Sequence, residues 1–195
     1  MKYYLFILIL AIFILAGCTK ENSIVGPQSS QSSQTLPKGQ WIVIGLDSSL
    51  SIENTYTVSK SIDGKKGGSI ELAQTFQDDG NQASFSAILT IPPKAFKGTE
   101  VISYTVNTET ASIEFSPNTK NFKKNLSLDL TFIGLDISKY RASDLSFSYL
   151  DGNKIVPVKS DYVRVDIQQG ILEVLGAEIR HFSRFGWSTK DGTQE

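Results

Sequence analysis

The stretch Gln82-Ala83-Ser84-Phe85-Ser86-Ala87-Ile88-Leu89-Thr90-Ile91 decides the fold class. Its apolar residues Ala83, Phe85, Ala87, Leu89 and Ile91 recur at every second position, with Ser84, Ser86 and Thr90 between them. Successive side chains of an extended chain point to opposite sides, so this pattern buries one face of a strand and wets the other. Pro92 and Pro93 follow at once and end the ladder, because neither has an N–H to donate.

The same two-residue period extends outward from this strand. Downstream, Ile102, Tyr104 and Val106 share a face after a Lys97-Gly98-Thr99 turn, and Leu126, Leu128, Leu130 and Phe132 share another. Leu145, Phe147 and Tyr149 repeat the device, and Asp151-Gly152-Asn153 supplies residues tolerant of positive φ for a reversal into Lys154–Val158. Gln168-Gln169-Gly170 turns Asp161–Ile167 back into Ile171–Gly176, and a closing strand runs through Glu178–Trp187. Upstream, Trp41–Leu46, Asn54–Ile62 and Gly68–Gln74 read as strands, the last two separated by a Gly-rich turn from Asp63 to Gly68. No segment sustains apolar residues at i, i+3, i+4 and i+7, so helices are not expected. Roughly nine to eleven short strands spaced about ten to fifteen residues apart predict an all-β chain, a single antiparallel β-sandwich with Greek-key connections.

The N-terminus has a different character. Lys2 precedes an uninterrupted apolar run from Tyr3 to Gly17, shorter than the roughly 20 residues of a membrane-spanning helix and flanked like an export signal. Leu15-Ala16-Gly17-Cys18 resembles the bacterial lipobox, which implies cleavage after residue 17 and a diacylglycerol on Cys18, the single cysteine of the chain. Each buried methylene contributes about 0.8 kcal/mol, so a multiply acylated cysteine holds a protein on a membrane. Thr19, rather than aspartate, follows the cysteine, which by the resemblance points to the outer membrane of a bacterial cell envelope. Residues 18–39 are dominated by Ser, Gln, Thr, Gly and Pro, too polar to offset the entropy of ordering, and read as a lipid-anchored flexible linker. The expected organisation is therefore 1–17 signal peptide, 18–39 linker, 40–190 sandwich domain and 191–195 tail. With one cysteine an internal disulfide is excluded, and the domain must stand on its core.

Charge and motif narrow the function classes. The chain carries 19 Lys and Arg against 20 Asp and Glu, and no basic run is denser than Lys65-Lys66 or Lys123-Lys124, so nucleic acid is not an expected partner. A single histidine and an acylated cysteine make no zinc site, and no glycine-rich phosphate loop follows a strand, so no metal and no cofactor is expected. Asp78-Asp79-Gly80-Asn81 and Asp151-Gly152-Asn153 hold oxygen ligands of the kind calcium takes, but hairpin turns call for the same residues and the turn reading is preferred. Trp41 and Trp187, the two tryptophans, are candidates for a sugar-stacking platform, against the alternative that they belong to the core or its rim.

Taken in order, GKKGGSIEL, FSAILTIPPKAFKGTEVISYTV, IEFSPNTKNFKKNLSLDLTF, LSFSYLDGNKIVPV and HFSRFGW resemble the ZU5-like β-sandwich domains of secreted and lipid-anchored bacterial proteins, over about residues 67 to 187. The resemblance implies a candidate activity, because some eukaryotic relatives cut themselves within a His-Phe-Ser triplet. Carried onto His181, Phe182 and Ser183, this would be an N-to-O acyl shift: the Ser183 hydroxyl attacks the Phe182 carbonyl as His181 takes its proton, the Phe182–Ser183 amide breaks to leave an ester and a protonated Ser183 amine, and water resolves the ester. Strand alternation places His181 and Ser183 on one face with Ile179 and Phe185, and Arg180 and Arg184 on the other. The competing reading makes His181 a half-buried strand residue bonded to a loop or backbone carbonyl, with Phe182 and Ser183 filling the last strand. On balance the sequence predicts a membrane-anchored lipoprotein that presents its sandwich as a non-enzymatic binding or structural module, with an envelope protein or glycan as partner. Self-cleavage between Phe182 and Ser183, and a glycan-binding module, are the alternatives.

Overall fold

The computed structural model describes residues 39–44, 55–78, 80–117 and 121–190. The residues read as a signal peptide, Cys18, nearly all of those read as a linker, and residues 191–195 lie outside the described residues. The strands are β1 (Thr55–Asp63), β2 (Gly68–Asp78), β3 (Asn81–Ile91), β4 (Thr99–Asn107), β5 (Ser112–Ser116), β6 (Asn121–Ile133), β7 (Leu145–Asp151), β8 (Lys154–Pro157), β9 (Tyr162–Asp166), β10 (Ile171–His181) and β11 (Arg184–Thr189). They form a six-stranded sheet, β1-β4-β5-β11-β7-β8, and a five-stranded sheet, β2-β3-β6-β10-β9. Every pairing is antiparallel. The protein is an all-β sandwich, as the alternation predicts.

The deciding stretch behaves as read. In β3, Ala83, Phe85, Ala87, Leu89 and Ile91 are all buried, and the strand stops before Pro92. Leu126, Leu128, Leu130 and Phe132 of β6 pack on the same side, and Ile102, Tyr104 and Val106 of β4 face them from the other sheet. Tyr104 ties the two layers: its hydroxyl donates to Ala87 O in β3 at 2.9 Å and lies 3.3 Å from Ile70 O in β2.

The chain alternates between layers. The hairpins β2–β3 and β9–β10 belong to the five-stranded sheet, and β4–β5 and β7–β8 to the six-stranded one. Consequently the turn Asp63–Gly68 is an arch from one sheet to the other rather than a hairpin. All described residues belong to the unit Leu36–Glu195. At one pole the entering chain pairs with β11, where Thr189 N donates to Gln40 O at 2.8 Å. The β2–β3, β4–β5, β6–β7 and β9–β10 connections gather at this pole, joined by bonds such as Asp136 N to Asp78 Oδ2 (2.6 Å) and Leu135 N to Gly170 O (3.1 Å). The opposite pole carries the β1–β2, β3–β4, β7–β8 and β10–β11 connections.

Three segments depart from expectation. Trp41–Ile44 is not a strand: it makes one bridge, Trp41 to Ser188. It fills the edge of β11 beyond the point where β5 begins (Ser112 opposite Gly186), and Ile44 N then turns away to Glu109 O. The second departure is at Gly176, where the sequence reading ends a strand. Here β10 bulges, Gly176 takes φ +66° and donates its N–H to Asp129 Oδ1 at 2.7 Å, and the strand continues to His181. The third is the closing stretch itself, which is two strands rather than one.

Candidate functional site

Glu178–His181 is the end of β10, paired with β6 through Ile179 opposite Leu126 and His181 opposite Asn121. Arg184 opens β11 in the other sheet, opposite Glu114 of β5. Phe182 and Ser183 are therefore the corner at which the chain crosses between layers. Alternation fails there: the inward residues are Ile179, Phe182 and Phe185, spaced by three, so His181 and Ser183 do not share the core face with Ile179 and Phe185. Phe182 is the pin of this corner. It is 2 % exposed, stacks on Phe115 at 5.2 Å and meets Phe122 edge-on at 4.8 Å.

The triplet's polar groups are directed elsewhere. The Ser183 hydroxyl donates to Leu150 O at 2.7 Å, and the Ser183 carbonyl accepts from Phe115 N at 3.3 Å. His181, half-buried, sets its ring edge-on to Tyr149 at 5.2 Å rather than against a carbonyl. Among the described residues no hydrogen bond joins His181 to Ser183. What the geometry achieves is a satisfied, close-packed corner.

The two tryptophans do not form a platform. Trp187 is fully buried against Phe147 and presents no face to a ligand. Trp41 is half-buried, and its bridge to Ser188 puts its side chain on the outer face of the six-stranded sheet. On that face Ser188, Ser148 and Ser146 bond one another at 2.8 and 3.1 Å. The two aspartate turns act as hairpin turns: Asp78 opposes Asn81, Asp151 opposes Lys154, and Asp78 accepts the Asp136 N–H. Elsewhere, a shallow depression of about 530 Å³ on the outer face of β2, β3 and β6 is floored by the hydroxyls of Thr75, Ser84, Ser86 and Thr131.

One grouping escapes a linear reading. At the pole opposite Gln40, three segments are stitched by backbone bonds: Gly64 N to Gly98 O (2.9 Å), Lys94 N to Gly64 O (2.8 Å) and Lys123 N to Ala95 O (2.8 Å). They bring together Lys65-Lys66, Lys94, Lys97 and Lys123-Lys124, all exposed. Among the described residues the ion pairs engage Arg141, Lys159, Arg164 and Arg180, and none of these six lysines. Asp63, within the same corner, accepts the Lys65 backbone N–H at 2.9 Å. The cue in the sequence is that each pair flanks a turn at the same end of its strand, which becomes legible only once the strand order is known.

No protein-family model, no curated protein and no solved structure matches this chain.

Proposed function

We propose that the chain is a lipid-anchored lipoprotein of the bacterial cell envelope, whose ZU5-like sandwich serves as a non-enzymatic binding or structural module. The observation that carries this reading is the attachment of Gln40 to Thr189 at one pole of the sandwich. A chain that enters there leaves the loops of the opposite pole clear of the entering segment, and loops on a rigid β scaffold are the usual contact surface of such modules. The ZU5-like assignment rests on the order of the quoted segments; in keeping with it, β3 ends at Ile91 ahead of the paired prolines. The arrangement of His181, Phe182 and Ser183 favours the structural role over self-cleavage, since the Ser183 proton is already engaged by Leu150 O.

Membrane fractionation of cells expressing the full chain and Cys18→Ala tests the anchor. The full chain is expected in the membrane fraction with acyl chains on its N-terminal peptide, and the variant in the soluble fraction. Equal partition of the two proteins, or an intact residue 1–17 segment on the mature protein, overturns the reading.

A further inference from the structure

We propose that the lysine corner built from residues 63–66, 94–97 and 123–124 is a binding site for an acidic polysaccharide, a sugar chain bearing carboxylate or sulfate groups. The assignment names a ligand for the binding module proposed above, yet it stands on the corner's own geometry and does not require the lipid anchor.

Charge is the first argument. The whole chain has a formal charge of −1, but the fold distributes it unevenly. Six exposed lysines share the far corner with Asp63 and Glu100, whereas the Gln40 pole holds Asp78, Glu109, Asp136, Asp144 and Asp166 against Lys139, Arg141 and Lys190, with Arg164 paired to Asp166. Such a separation orients the molecule in the field of a polyanion and concentrates the attraction at one end.

Rigidity is the second. The corner is not three independent loops: a side chain on Gly64 would collide with the Phe96 ring and carbonyl, so the first two segments lie in direct contact. Phe96 in turn packs on Phe122 at 6.3 Å, coupling the third segment to the second. Lys94 itself sits at φ +69°, a conformation that non-glycine residues seldom take, and its N–H is held by Gly64 O. The lysine side chains are exposed but their roots are fixed, which lowers the ordering cost of binding.

The residue types select the class of anion. All six cations are lysines; a planar arginine fork is the better match for bidentate phosphate, while a compact, well-hydrated ammonium on a flexible stem suits a hydrated chain with irregularly spaced charges. The aromatic residues of the corner are engaged with other rings: buried Phe96 packs on Phe122, and Phe122 meets Phe182 edge-on, which disfavours stacking of a nucleic-acid base there. Among the described residues, Val101 is the one exposed large apolar side chain beside the corner, too little to enter a bilayer.

The test uses the protein purified in non-ionic detergent from whichever cell fraction holds it, so that failure of the anchor reading does not affect it. Binding to heparin and polygalacturonate is measured by calorimetry across a salt series, beside neutral dextran, a short DNA duplex and phosphatidylglycerol vesicles. Both acidic polysaccharides are expected to bind and dextran not to. Each of the double variants K65Q/K66Q, K94Q/K97Q and K123Q/K124Q should weaken binding at least about fivefold and reduce the slope of log K against log salt by about one to two. K139Q/K190Q, which removes two charges from the opposite pole, should change it less than about twofold. No binding at low salt, equal loss in the control variant, or DNA or vesicles bound as tightly as polygalacturonate overturns the proposal.

Discussion

Replacing Tyr104 by phenylalanine isolates the bond that joins the two sheets. The residue is 1 % exposed, and its single hydroxyl proton is directed at Ala87 O (2.9 Å), with Ile70 O at the edge of reach (3.3 Å). A buried hydrogen bond contributes about 1 kcal/mol net, and the vacated volume and the under-satisfied carbonyl add to the loss, so Tyr104→Phe should cost about 1–2 kcal/mol. For a domain of this size that lowers Tm by about 2–8 °C. Urea unfolding followed by the fluorescence of buried Trp187 reads the change directly. The same residue makes a second, sharper demand. Burial, with the negative charge of Glu71 adding to it, raises the Tyr104 phenol well above the ordinary tyrosine value near 10. Above that pH the unfolded chain releases the proton and the folded chain keeps it, so the wild type loses stability as pH rises. Phenylalanine has no such titration. The gap between wild type and variant should therefore narrow between pH 9 and 11, the remaining tyrosines being common to both. An equal or larger gap at pH 11, or a variant as stable as the wild type at pH 7, would refute the reasoning.

Further expectations concern the corner and the surface. Phe182→Ala removes the ring packed between Phe115 and Phe122 and should cost about 3–5 kcal/mol in urea unfolding, as buried aromatic truncations do; a loss under about 1 kcal/mol would show that the corner is not pinned there. Ser183→Ala should cost only about 1 kcal/mol, the bond to Leu150 O, and leave the intact mass of the protein altered by the substitution alone, whereas a wild type lacking residues 183–195 would establish self-cleavage. Glu178, bonded to Lys159 and then to Arg180, is held below its ordinary value. Its contribution is present above the unfolded carboxylate range and disappears as pH falls through the folded value, so Glu178→Gln should flatten the loss of stability below about pH 4.5. A variant whose acid profile overlays the wild type would exclude that contribution.

Period two carried most of the fold because one face of each strand is buried and the other wet, as in β3 and β6. It failed where the chain changes layer. Between Ile179 and Phe185 the inward spacing becomes three, since Phe182 turns into the core at the corner, and no local pattern distinguishes that from a continuous strand. Gly176 was misread for a related reason: a glycine within alternating residues marks a strand end or a bulge equally well, and it is the carboxylate of Asp129, 47 residues away in sequence, that settles it. Trp41–Ile44 has the composition of a strand but occupies the short gap that β5 leaves on β11. Site residues were less legible still. The sequence leaves Trp187 open between a sugar platform, the core and its rim, and only its burial assigns it to the core. The lysine corner is assembled from segments separated by some 25–30 residues, so composition and local runs dilute it to nothing.

The position of β11 bears on how the chain reaches its native state. β11, the most C-terminal strand among the described residues, is not an edge but an interior member, lying between β5 and β7. Until residues 184–189 have been synthesised, β5 and β7 each lack a neighbour, β7–β8 cannot join the layer containing β1, and Trp187 is missing from the core. A nascent chain is thus kept from completing its structure by its own topology. Loss of residues 184–189 leaves two raw edges for other chains to pair with, which makes trimming through β11 a route to aggregation.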